Sequence, residues 1–325
     1  MLKRLLFFTL IAFSAIQSNA QDKVLDSAKD IKQMDKKDAK EGWTKSGAIG
    51  LDLALLNLIN PRAGAGDNRL GFGGLLGYQA NLKQGKILWD NKFNLQLAVV
   101  KVASDPFTKA NDVLQFTSQW GYQISENGKW YGAALFDFQT QFLPTYGANF
   151  LAGDAVPGKT LTLAAQFLAP AIFKFAPGVI YKPSADFKVM YSPIAVRTIV
   201  VANDVVARQA AYIPLKIKTD PNSFQTTDFQ LGSELRAEYN HKFNDNLVYS
   251  SIFDIYSNYL REPQNMAIEW YNSLDFKVYK NVSVNLKTDL FYDHNILVNR
   301  GGDVKNQGRD VFIRNALFVK YGMLF

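Results

Sequence analysis

The chain contains no cysteine among its 325 residues. That excludes a disulfide framework, a thiolate metal site and a lipid-modified cysteine behind an export signal. Histidine is nearly absent too. Only His241 and His294 occur. There is no block of arginine or lysine. The formal net charge is +7, spread thinly along the chain, and a nucleic-acid partner is excluded on that ground. One run, Leu161 to Tyr181, approaches the length of a membrane-spanning helix. Gln166, Pro170, Lys174 and Pro177 interrupt it, and Phe173-Lys174-Phe175 alternates. It is expected to be a strand with an irregular outer end at Pro170.

What is present is alternation. From Val311 to the last residue, Val311, Ile313, Leu317, Val319, Tyr321, Met323 and Phe325 fall on one face. Arg314, Ala316, Lys320 and Gly322 fall on the other. A period of two is a strand. The chain ends on an aromatic without a polar tail, as a final strand closing a membrane barrel does. Tyr321, Met323 and Phe325 are similar to the C-terminal recognition signal of bacterial outer-membrane proteins. They are expected to engage the barrel-assembly machinery.

The opposite end fits export. Lys3 and Arg4 precede an apolar stretch from Leu5 to Ile16, and Ser18-Asn19-Ala20 is a small-residue cleavage site. Residues 1–20 are therefore expected to be a signal peptide, and the net charge falls from +7 to +5 once Lys3 and Arg4 leave. Residues 21–42 carry six acidic residues and six lysines, the composition of a solvated tail.

From Trp43 onward twelve alternating segments can be marked. They are 43–57, 69–83, 86–102, 110–125, 128–143, 165–182, 185–199, 228–243, 246–261, 264–279, 281–295 and 307–325. In the third, Trp89, Phe93, Leu95, Leu97 and Val99 oppose Asp90, Lys92, Asn94 and Gln96. In the fourth and fifth, aromatic and aliphatic residues oppose Gln115, Thr117, Gln119, Gln123, Asp137, Gln139 and Gln141. A soluble sandwich would bury the apolar face, whereas a membrane barrel turns it to lipid. The connections discriminate. Gaps after even segments are tight (Gln84-Gly85, Glu126-Asn127, Pro183-Ser184, Asn244-Asp245, Lys280). Gaps after odd segments are long (58–68, 103–109, 144–164, 200–227, 296–306), except 262–263. The expectation is one domain, residues 43–325: an all-β, transmembrane, antiparallel up-and-down barrel of about twelve strands. Both termini would be periplasmic and the outer-membrane lipid would surround it. Aromatics, at 14% of residues with 24 Phe and 15 Tyr, suit two interfacial girdles. Trp43, Trp89, Trp120, Trp130, Tyr181 and Tyr321 map to one, and Tyr259, Trp270 and Tyr292 to the other.

Several stretches resemble an uncharacterised outer-membrane protein family of Bacteroidota, a domain of unknown function numbered 3078. They are Gly42-Trp43, Trp89-Asp90-Asn91, Tyr181-Lys182-Pro183 running to Ser192-Pro193, Ser257-Asn258-Tyr259-Leu260 with Pro263-Gln264-Asn265, and Phe291-Tyr292-Asp293. The resemblance implies an outer-membrane barrel and brings no substrate and no catalytic residues.

Charges expected to line the lumen are Lys92, Asp137, Glu234, Arg236, Glu238, Asp254, Glu269, Asp275, Lys277, Lys287, Asp289, Asp293, Arg314 and Lys320. Mixed signs in close order read first as a salt-bridge lattice that stiffens the lumen. They read second as a path orienting a solute, since a selective constriction more often carries one sign. By parity His294 sits at the outer rim and His241 at the inner, too far apart to cooperate across a band about 25 Å tall. Gly71 to Gly77 lacks the spacing of a phosphate loop. The turns Gly66-Asp67-Asn68 and Gly301-Gly302-Asp303 are explained by turn chemistry. No catalytic residue, metal or cofactor is assigned. The expected role is non-enzymatic: passage of an unnamed small solute, or a structural or assembly role. An outer-leaflet lipid hydrolase based on His294 and a plugged barrel acting as a surface binding protein remain as alternatives.

Overall fold

The computed structural model describes residues 41–60, 69–100, 108–146, 162–294, 297–303 and 305–324. The expected signal peptide, nearly all of the 21–42 tail, and Phe325 lie outside the described residues.

Twelve long strands form the wall: β1 (Gly42–Ile59), β2 (Arg69–Gln84), β3 (Ile87–Val100), β4 (Thr108–Gln123), β5 (Trp130–Thr140), β6 (Ala171–Tyr181), β7 (Phe187–Val200), β8 (Thr227–Asn244), β9 (Leu247–Asn258), β10 (Met266–Tyr279), β11 (Val282–Asp293) and β12 (Phe312–Leu324). Each pairs antiparallel with its sequence neighbours, and β1 also pairs with β12, so the sheet closes into a barrel. Closure leaves no edge strand and no row of unpaired backbone groups.

The wall is polarised as the alternation requires. Leu51 is 66% exposed on the outside, whereas Gln79 of the next strand is 2% exposed on the inside. Trp89, Trp120, Trp130, Phe175, Leu286, Val319 and Tyr321 also stand outward and exposed. Asn94, Gln96, Gln115, Gln139, Glu234, Asp254, Asn285, Lys287 and Asp289 are buried within. An apolar exterior around a polar interior is the inverse of a water-soluble barrel, and it belongs in hydrocarbon.

Two details of the outer face were not visible in the alternation. Asn91 and Asn272 interrupt apolar faces but are satisfied by the same device. Trp89 Nε1 donates to Ser118 Oγ (2.9 Å), which donates to Asn91 Oδ1 (2.8 Å). Asn91 Nδ2 then donates to the Ala80 carbonyl (3.2 Å). On the far side Trp270 Nε1 donates to Ser251 Oγ (2.9 Å), Ser251 to Asn272 Oδ1 (3.1 Å), and Asn272 Nδ2 to the Thr288 carbonyl (3.3 Å). Each chain spans three adjacent strands and pays the hydrogen-bond cost of a polar group on an apolar face.

Strand ends differ from the sequence limits for physical reasons. β6 begins at Ala171 because Pro170 cannot donate to a ladder. Residues 163–165 instead pair with Thr145–Tyr146 in a small ribbon outside the barrel. β12 begins at Phe312, since Gln307–Gly308 pairs with Val298–Asn299. Gly71 to Gly77 lies wholly within β2.

A bulge sets Ser192 to Ala195 of β7 against Gly232 to Glu234 of β8. Here backbones approach closely. A Cβ on Gly232 would sit 2.0 Å from the Ser257 carbonyl oxygen, and one on Gly178 would sit 2.2 Å from that of Tyr191. Gly232→Ala should therefore destabilise the barrel by about 1–3 kcal/mol and lower the temperature at which heat-modifiable gel mobility is lost. Gly74→Ala, whose Cβ would meet nothing nearer than 3.8 Å, should be silent. Equal melting of the two variants would refute the close-approach account.

Candidate functional site: the polar lumen

Strand parity delivers the lumen. Because side chains alternate, Glu234, Arg236 and Glu238 of β8 all point inward, and Asp254 of β9 stands opposite Arg236 in register. β6 and β7 add Lys174 and Lys188 from the other side. Lys174 Nζ is 2.7 Å from Glu234 and 4.0 Å from Asp254. Arg236 is 2.8 Å from Glu238 and 3.4 Å from Asp254. Lys188 Nζ is 3.1 Å from Glu238 and donates to Gln119 Oε1 at 2.8 Å. The six charges form one lattice across four strands, with signs alternating.

The facing wall is made of amides and hydroxyls. Asp137 of β5 accepts from Gln115 Nε2 (3.0 Å) and Thr117 Oγ1 (2.6 Å). Between lattice and amide wall lies a cavity of about 130 Å³, lined among others by Lys92, Gln119, Asp137, Gln139, Arg236 and Glu269. At the roughly 30 Å³ that each water occupies in the liquid, it has room for about four waters.

The other expected lumen charges sit further round or nearer the rims. Asp289 receives Arg314 through Nε at 3.0 Å and through a second guanidinium nitrogen. Lys287 and Lys320 hold their ammonium groups 5.4 and 5.3 Å from the inward-facing Phe318 ring. Asp275 accepts from Ser273 Oγ at 3.2 Å near the tight-turn end. Lys277 is exposed at that rim, and Asp293 is half-buried at the long-loop rim. Glu269 accepts from the Tyr271 hydroxyl. Tyr321 is exposed on the outer face. The side chain of Met323, like Phe325, lies outside the described residues.

The sequence reading missed Lys174 and Lys188. Lys174 sits in an apolar, proline-bearing run, and its partner Glu234 is two strands away around the barrel. The one available signal was the alternation Phe173-Lys174-Phe175.

The histidines stand at opposite ends. His241 Nδ1 is 2.8 Å from Asp186 Oδ2 at the tight-turn end of β8, and its ring stacks on Tyr239. His294 Nδ1 is 3.2 Å from the Tyr292 hydroxyl at the long-loop end of β11. Neither hydrogen-bonds to a serine among the described residues.

The long connection between β7 and β8 folds over the mouth. Its helix α1 (Asp204–Arg208) is capped by the Asn203 side chain, which accepts from Val206 N at 3.2 Å. Val201, Val206, Tyr212 and Ile213 pack on Ile172 and Ile199, which point inward from β6 and β7. Residues 201–226 thus roof this side of the lumen. Most of the 144–164 connection lies outside the described residues.

A family model described as protein of unknown function (DUF3078) matches residues 57–146. No curated protein matches the sequence significantly. Among solved structures, the chain is similar to the COG4313 outer membrane channel from Pseudomonas putida F1, at 11% identity over 90% of this chain and 100% of that one, with a TM-score of 0.40. It is similar to the NanC porin at 9% identity, over 83% and 98%, with a TM-score of 0.39. It is similar to the outer membrane channel DcaP of Acinetobacter baumannii at 10% identity, over 86% and 97%, with a TM-score of 0.37. The twelve-strand closure rests on this chain's own hydrogen bonding.

The lattice yields a stability test. Arg236→Met removes the cation between Glu238 and Asp254 while preserving bulk. Breaking such a pair costs about 3 kcal/mol, the lower end of the buried range because the cavity has room for water. Adding Glu238→Gln should recover part of the loss. Thermal melting of both variants measures it, and an Arg236→Met barrel as stable as wild type would refute a structural role for the lattice.

Proposed function

We propose that this barrel spans the bacterial outer membrane and passes a small solute through its lumen without covalent chemistry. The observation that carries the proposal is the polarity of the closed wall, apolar outside and hydrogen-bonding inside, around a cavity with room for water. Residues 1–20 would direct export and be removed. The C-terminal segment that carries Tyr321, Met323 and Phe325 would be read by the assembly machinery, and outer-membrane lipid would contact the exposed belt. The charges from Glu234 to Lys320 hold the lumen open against collapse, since ion-paired side chains on neighbouring strands fix one another's rotamers. No chemistry is assigned to His241 or His294, which stand at opposite rims.

The test is permeability of proteoliposomes. Refolded protein, shown folded by heat-modifiable gel mobility, should make liposomes swell in an isosmotic panel of small solutes faster than protein-free liposomes. Folded protein that leaves them equally tight to every solute in the panel would overturn the proposal.

A further inference from the structure

We infer that the lumen selects small, uncharged, hydrogen-bonding solutes, of the polyol or simple amide class, over ions of either sign. The inference rests on the passage proposed above and names its substrate class.

Three observations carry it. The first is that the charges of the lattice are committed. Lys174, Lys188 and Arg236 each contact a carboxylate, and Glu234, Glu238 and Asp254 each contact a cation. Opposite charges a few ångströms apart cancel one another's field beyond that distance, and the cavity lining as a whole sets four cations against five carboxylates, so a lone ion meets an excess of one negative charge at most. It would lose part of its hydration with little compensation. A neutral solute pays no such penalty.

The second is the kind of group left unsatisfied in the inner wall. Gln139 is 3% exposed and lines the cavity, yet its Nε2 has no hydrogen-bond partner among the described residues. Gln96, two strands away on the same inner wall, is 6% exposed, and its Oε1 is likewise without a partner among the described residues. One is a donor and the other an acceptor. A buried amide without a partner is costly unless something visits it. Hydroxyl and amide solutes carry both complements.

The third is size. A cavity near 130 Å³ is comparable to the roughly 150 Å³ cavity that admits a benzene-sized molecule. That is the scale of a short polyol and well below a disaccharide.

Stopped-flow swelling of the same proteoliposomes tests this, with erythritol, sucrose and potassium chloride as probes. Erythritol should enter about tenfold faster than either, a ratio equivalent to about one net hydrogen-bond energy. Gln139→Leu should reduce the erythritol-to-chloride ratio several-fold. Leu286→Ala, on the exposed outer face, should leave it unchanged, and every variant is first shown to be folded by heat-modifiable mobility. Potassium chloride entering as fast as erythritol would overturn the substrate class while leaving passage standing. So would an unchanged ratio in folded Gln139→Leu. Liposomes tight to all three probes would overturn passage and this inference with it.

Discussion

Everything in this molecule depends on closing the hydrogen-bonded ring between β1 and β12. An apolar medium offers no partner for backbone N–H and C=O groups, so a sheet within it must have no edge. The register from Ala48 opposite Leu324 to Ile59 opposite Ile313 supplies that closure. Once the ring is shut, side-chain alternation has a single consequence: every second residue faces outward and the rest share one enclosed space.

That enclosed space is crowded with charge because a dozen strands contribute to it. Burying single ions there would be prohibitive, and the structure avoids it by placing opposite signs within reach. The bulge at Ser192–Ala195 and the close approach at Gly232 belong to the same region. They bend β7 and β8 where the lattice is densest. The roof formed by residues 201–226 packs its own small core, Val206, Tyr212 and Ile213, onto inward-facing aliphatic residues. The loop thus draws its order from the barrel beneath it.

On the outer face, the paired Trp-Ser-Asn chains show how polar residues are tolerated there. The indole, hydroxyl and amide of each chain satisfy one another and end on a backbone carbonyl of the next strand. This leaves the tryptophans anchored to the wall rather than dependent on water for their N–H groups.

Alternation within each segment is a local property of the chain, and it was sufficient to place all twelve strands and the inward direction of Glu234, Arg236, Glu238 and Asp254. Tight turns such as Gly85, with its positive φ of 55°, were equally legible, because turn chemistry is decided by a few adjacent residues. Contacts between strands far apart in sequence were not. Whether Lys174 reaches Glu234 across β7, whether Trp270 finds Ser251, and which amide of the inner wall is left without a partner depend on register and barrel curvature. Those are set jointly by all the strands. The sequence by itself determined which residues face in and which face out, since parity is fixed by a period of two. Only the tertiary structure decided which inward residues meet, because closure brings distant strands within hydrogen-bond reach.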